Sequence, residues 1–184
     1  NNRVLIYNLN NSNLLVDVTP DNVLGQNDFY TNTASNTQTG LNQPYSLAYD
    51  KVNNRLFVAG YGNNRVTVYD MTSTTNGEAA TYVLGQSTFT ASTAADTQAG
   101  LSGPNSVVYD SSSTLLYVAQ DGSHRVSIFD VAAITNGENA ANLLGQYDDT
   151  DSPPTPLYTK TNVNNRPNKL GLNAPRGIEI DTST

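Results

Sequence analysis

Residues 23–82 read VLGQNDFYTNTASNTQTGLNQPYSLAYDKVNNRLFVAGYGNNRVTVYDMTSTTNGEAATY, and residues 83–142 read VLGQSTFTASTAADTQAGLSGPNSVVYDSSSTLLYVAQDGSHRVSIFDVAAITNGENAAN. The two blocks align without a gap, and 27 of the 60 paired positions are identical. A third copy opens with LLGQ at Leu143, and residues 1–8 (NNRVLIYN) match the middle of a unit, Asn63 to Asp70. A fixed period of this length is the signature of a repeat architecture, so it is settled before any single element is assigned.

Within a unit the apolar residues alternate with period two, and β-branched and aromatic residues dominate. Strands are expected at 45–50, 56–60, 65–70 and 80–86, and again at 105–110, 115–119, 125–131 and 140–146. The links carry Asn-Asn, Gly-Asn and Asn-Gly, which favour positive φ and tight reversals. Outside the two full units, strands are expected at 3–8, at 14–18 and 23–26 with a break near Pro20, and at 176–181. Pro20 cannot donate to a ladder and so belongs at an edge or bulge. No segment sustains a 3.6-residue period; VAAIT at 131–135 is the one candidate for a helical turn.

Four short strands per unit make a four-stranded antiparallel sheet that cannot bury both faces alone. Stacking such sheets around an axis buries them, so the expected fold is an all-β β-propeller of about 60 residues per blade. The chain divides into a partial blade at 1–26, blades at 27–86 and 87–146, and a segment at 147–184 holding a long loop and the next first strand. Two full and two partial blades leave the ring open. Either the chain is a piece of a longer one, or another copy completes the ring, since open sheet faces and edges invite association.

Composition narrows the partners. Charged residues make up only 14% of the chain, the net charge is −7, and no basic stripe exists, which argues against nucleic acid. There is no cysteine, hence no disulfide and no thiolate metal site. No apolar run approaches the roughly 20 residues of a membrane span. An acidic, Cys-free chain rich in Asn and Thr points to an extracellular or cell-surface protein.

The stretches GLNQPYSLAYDKVNNRLFVAGYGNNRVTVYD and GLSGPNSVVYDSSSTLLYVAQDGSHRVSIFD resemble NHL repeats. The shared pattern is Pro, two residues, hydrophobic-small-hydrophobic-Asp, a turn, a strand ending Val-Ala, then an Arg-Val strand. The VLGQ extension, followed two residues on by Phe, is similar to that of bacterial and archaeal surface proteins carrying such repeats. The resemblance implies a propeller but no particular activity, because the fold hosts binders and enzymes alike. The third copy departs from the pattern, with eleven extra residues before Gly171-Leu172.

Candidate sites follow from this architecture. The surplus over the family's usual repeat lies in residues 29–43 and 89–103 and, at its longest, 147–173, all expected on one rim where loops carry recognition. Ligand-binding candidates there are Tyr30, Tyr61, Asn63, Asn64, Asp121, His124, Tyr147 and Tyr158; tyrosine offers a flat amphipathic surface to sugars or peptides. Asp148, Asp149 and Asp151 could present oxygen ligands to calcium, although their spacing is not that of an EF-hand. His124, the only histidine, also reads as a plain turn residue. Glu179 stands where the other copies carry Ala48 and Val108, making it an axial candidate with Arg176 and Asn105. The recurring Asp50, Asp110 and Asp181, and Arg3, Arg65 and Arg125, read as structural.

The function expected is a binding scaffold for protein or carbohydrate, or for copies of itself, rather than an enzyme. Two alternatives stand beside it. One is a propeller hydrolase or lyase with an axial metal, the other a subunit of an extracellular fibre or layer.

Overall fold

A computed structural model describes residues 1–148, 150–160 and 169–181. The described chain is all-β, with four antiparallel sheets. The first is a pair, β1 (Val4–Ile6) with β2 (Asn22–Leu24). The second has the order β3 (Pro44–Asp50), β4 (Arg55–Gly60), β5 (Arg65–Asp70), β6 (Tyr82–Leu84). The third repeats it sixty residues on, with β7 (Pro104–Asp110), β8 (Leu115–Gln120), β9 (Arg125–Asp130) and β10 (Asn142–Leu144). The register is the same in each copy: Val66 faces Leu84, Val126 faces Leu144, and in the first pair Val4 faces Leu24.

The period of two explains how the sheets stack. Along β4, Leu56 and Val58 point to one side and Phe57 and Ala59 to the other, and all four are buried. Leu56 and Val58, with Tyr69, pack on Val4 and Leu24 of the first pair. Phe57 and Ala59, with Val66 and Val68, pack on Val107, Leu116, Val118 and Phe129 of the third sheet. Each sheet thus covers its neighbour, and the first strands β3 and β7 lie side by side, with the Val107 N–H donating to Ser46 Oγ at 3.1 Å.

Repeated side chains lock the long loops to this stack. Buried Arg65 donates to the carbonyls of Asn36 (3.2 Å), Thr37 (2.9 Å) and Gly40 (2.9 Å) in its own unit and of Phe89 in the next. Arg3 and Arg125 make the matching bonds to the carbonyls of Phe29 and Tyr158. The VLGQ glutamine is a second clamp: Gln26 bonds the carbonyls of Asn2 and Thr33, and Gln86 those of Asn64 and Thr93. Its glycine has positive φ in every copy, and a Cβ there would come within 2.6–2.8 Å of Leu41, Leu101 or Leu172. The Gly145–Leu172 approach shows that the third copy keeps this contact despite its eleven extra residues.

Three expectations change. Residues 14–18 form no strand beyond a Leu9–Leu15 bridge, because the Asn10 side chain captures the N–H groups of Ser12 and Leu14 in a turn. Leu14, Leu15, Val16 and Val18 are all exposed. Residues 131–135 form no helical turn; Asp130 and Glu138 side chains take the N–H groups of Ala132 and Thr135 instead. Residues 176–181 form no strand. The long third loop carries a small hairpin that sequence reading omitted, β11 (Tyr147–Asp148) with β12 (Thr155–Pro156).

Candidate functional site

The head of each first strand is irregular in the same way. Pro44 pairs with Gly60, but the ladder resumes at Ser46–Ala59, so Tyr45 is an extra residue; Asn105 is the extra residue between Pro104–Gln120 and Ser106–Ala119. Proline at a strand start has no N–H to lose, and the bulge after it re-aims a side chain out of the regular alternation. The turn after the second strand lies alongside, because the Tyr61 N–H bonds the Gln43 carbonyl (3.0 Å) and the Asp121 N–H the Gly103 carbonyl (3.2 Å).

These pieces meet in a cleft of about 320 Å³ lined by Tyr45, Tyr61, Asn105, Asp121 and Arg176. The Tyr45 and Tyr61 rings stack with centroids 4.8 Å apart and planes 20° from parallel. Arg176 Nε lies 3.5 Å from Asp121 Oδ2; the arginine side chain is 77% exposed, the carboxylate largely covered. Both amide atoms of Asn105 are shut off from solvent and find no hydrogen-bond partner among the described residues. Gly103 supplies the close approach: at φ +60°, its Cβ would fall 2.5 Å from Asp121 Oδ1 and 3.1 Å from the Tyr61 ring. The corresponding residue of the first unit is Gln43.

The turn residue that ends each second-to-third-strand link positions the cleft from behind. Asn64, held at φ +50°, accepts the Gly103 N–H on Oδ1 (2.9 Å) and donates to the Ser92 carbonyl. Asn2 does the same for the Gln43 N–H (2.8 Å). His124, at φ +52°, replaces that amide with Nδ1, which accepts the Ala174 N–H at 3.0 Å. It therefore holds the Ala174-Pro175 step that leads into Arg176. Asn63 is buried and donates to the Ser35 carbonyl, so it serves the loop frame.

The tyrosines expected on one rim go to different places. Tyr61 is in the cleft, while Tyr30 stands 94% exposed on the first long loop. Tyr147 donates to Asn142 Oδ1 (2.8 Å) and lines a separate, more apolar hollow with Lys169, Leu170 and Leu172. Tyr158 packs on the core, where burial first and then the neighbouring Tyr147 push its phenol pKa up. The acidic loop is partly self-satisfied: Asp148 accepts from the Thr150 N–H and hydroxyl, and Asp151 from the Thr155 hydroxyl. Asp149, the third calcium candidate, lies outside the described residues. Among the described residues no three His, Cys, Asp or Glu converge as metal ligands do. Of the axial candidates, Asn105 and Arg176 reach the cleft, whereas Glu179 is exposed and is not among its lining residues.

Sequence reading picked out Tyr61, Asn105, Asp121 and Arg176 on separate grounds and missed Tyr45. A usable signal existed: the residue after the repeat proline is Tyr45, Asn105 or Arg176, different in each copy although the proline itself recurs. Among the described residues the lining side chains offer two flat rings, a donor-only guanidinium, an acceptor-only carboxylate and an amide that is both. No helix among the described residues is long and apolar enough to cross a membrane. Compared with protein-family models the chain matches none, and a comparison with curated proteins likewise finds no match.

Proposed function

We propose that the chain is part of an extracellular, NHL-like β-propeller that works as a binding scaffold rather than an enzyme, with recognition centred on this cleft. Radial stacking is supported by sheets that each bury their neighbour's apolar face and by first strands that sit side by side. The observation that carries the binding reading is the convergence of three unlike residues, Tyr45, Asn105 and Arg176, from one repeated position. A frame repeated so closely has no structural need for that variety. The axial-metal hydrolase draws less support, because exposed Glu179 stands apart from the cleft's lining side chains.

The test is a titration of the ¹⁵N-labelled chain with neutral sugars and short neutral peptides, followed by NMR. Shifts centred on Tyr61, Gly103, Asn105 and Asp121 are expected for at least one class. If every ligand leaves those resonances unmoved, the binding reading fails.

A second reading, self-association, is favoured by one observation. Leu47, Tyr49 and Val52 form an exposed apolar row on and just after β3. Light scattering should then show a mass above the monomer that falls in a Leu47→Ser, Tyr49→Ser variant.

A further inference from the structure

Resting on the cleft being a binding site, we infer that its ligand is a neutral sugar ring, bound as a single unit or as the end of a glycan. The Tyr45 and Tyr61 rings stack on each other, so each braces the other and the outward ring face is a flat apolar surface; Tyr45 keeps 57% of its surface open. A pyranose presents a matching face of C–H groups with hydroxyls around its edge. Each hydroxyl both donates and accepts, which suits a wall holding a donor-only guanidinium, an acceptor-only carboxylate and an amide. The Asn105 amide finds no partner among the described residues; its two polar atoms are covered in this structure, so a rotation of the side chain into the cleft it lines would be what presents them to two adjacent hydroxyls, a donor and an acceptor side by side.

Charge and backbone exclude the rivals. Arg176 and Asp121 oppose each other at 3.5 Å, so an anion meets the carboxylate and a cation meets the guanidinium. A peptide binding by strand addition needs free main-chain groups. Here the N–H of Tyr61, Gly103 and Asp121 are already bonded inside the chain. At about 320 Å³ the cleft sits at the small end of ligand sites, the size for one ring rather than an extended polymer.

The experiment titrates the chain with methyl glycosides of glucose, galactose, mannose and N-acetylglucosamine, with a neutral tetrapeptide and inorganic phosphate as contrasts. At least one glycoside should bind saturably and shift Tyr61, Gly103 and the Asn105 side-chain amide. Tyr61→Ala should weaken it about tenfold, and Tyr61→Phe, which keeps the platform, much less. Tyr45→Ala, at an exposed position, repeats the test should Tyr61→Ala fail to fold, with circular dichroism and melting as checks. Binding of the tetrapeptide or phosphate at the cleft without any glycoside overturns the sugar assignment and leaves the binding site standing. Silence from all three classes overturns both.

Discussion

The second and third sheets pair the same residues sixty positions apart, yet the same positions live in different surroundings. Leu47 on β3 is 49% exposed, while its counterpart Val107 on β7 is 5% exposed, because the second sheet lies against β7 and no described sheet covers the face of β3 that carries Leu47. Asp50 is buried, gripped by Asn53 and a 2.6 Å ion pair to Arg55; Asp110 faces Leu115 instead of an arginine and accepts from Ser112 and Ser113. Arg65 holds four carbonyls; among the described residues Arg125 holds one and lies 3.6 Å from Asp96. The ladder is a local property that repeats with the sequence. Burial and charge pairing belong to the neighbour, and they do not repeat.

The largest effect should come from the arginines. Burial lowers the pKa of both guanidinium groups, but from so high a value that both stay charged. Arg65→Met strands four loop carbonyls and should cost about 3 kcal/mol or more. Arg125→Met should cost roughly half that, in urea unfolding followed by circular dichroism. Equal losses would break the contrast between the two units.

Val107→Ser puts an unpaired hydroxyl where the second and third sheets meet and should cost about 2–3 kcal/mol. Leu47→Ser should stay within about 0.5 kcal/mol, being on the open side. A large loss at Leu47 would mean that its face is covered in solution, which sharpens the self-association reading.

The smallest contrast is in acid. Burial alone would raise the Asp50 pKa, but hydrogen bonds from Asn53 and Arg55, with the Arg55 charge, bring it down to about 2. A folded value below the unfolded one of about 3.9 means stabilisation that is complete above about pH 4 and is lost as pH falls towards 2. Asp50→Asn should therefore lower neutral-pH stability by about 2 kcal/mol and flatten the acid limb of a melting-temperature profile. Asp110→Asn should change that limb much less, and an equal change would show that the ion pair is not what sets it.

Much of this was legible in the chain. Alternation in LFVAG and RVTVYD placed β4 and β5, and the repeat carried the same strands to β8 and β9. Residues 14–18 have the apolar content of a strand but not its pairing, because a strand needs a partner and Asn10 takes the N–H groups of Ser12 and Leu14. In the cleft, the residues that could be named singly were those breaking the repeat, such as Asp121 for Tyr61. Tyr45 carries no such mark, because a tyrosine on an alternating strand looks like any other until Tyr61 is found stacked on it.

By itself, the sequence determined the period and the alternation that places the strands, since these are set by local backbone geometry. Only the tertiary structure decided which faces are buried, how His124 reaches Ala174, and that Tyr45, Tyr61, Asn105, Asp121 and Arg176 share one cleft. Those residues lie up to 131 positions apart. Side chains so far apart in the chain meet only through the packing of whole sheets, and no local pattern records that distance.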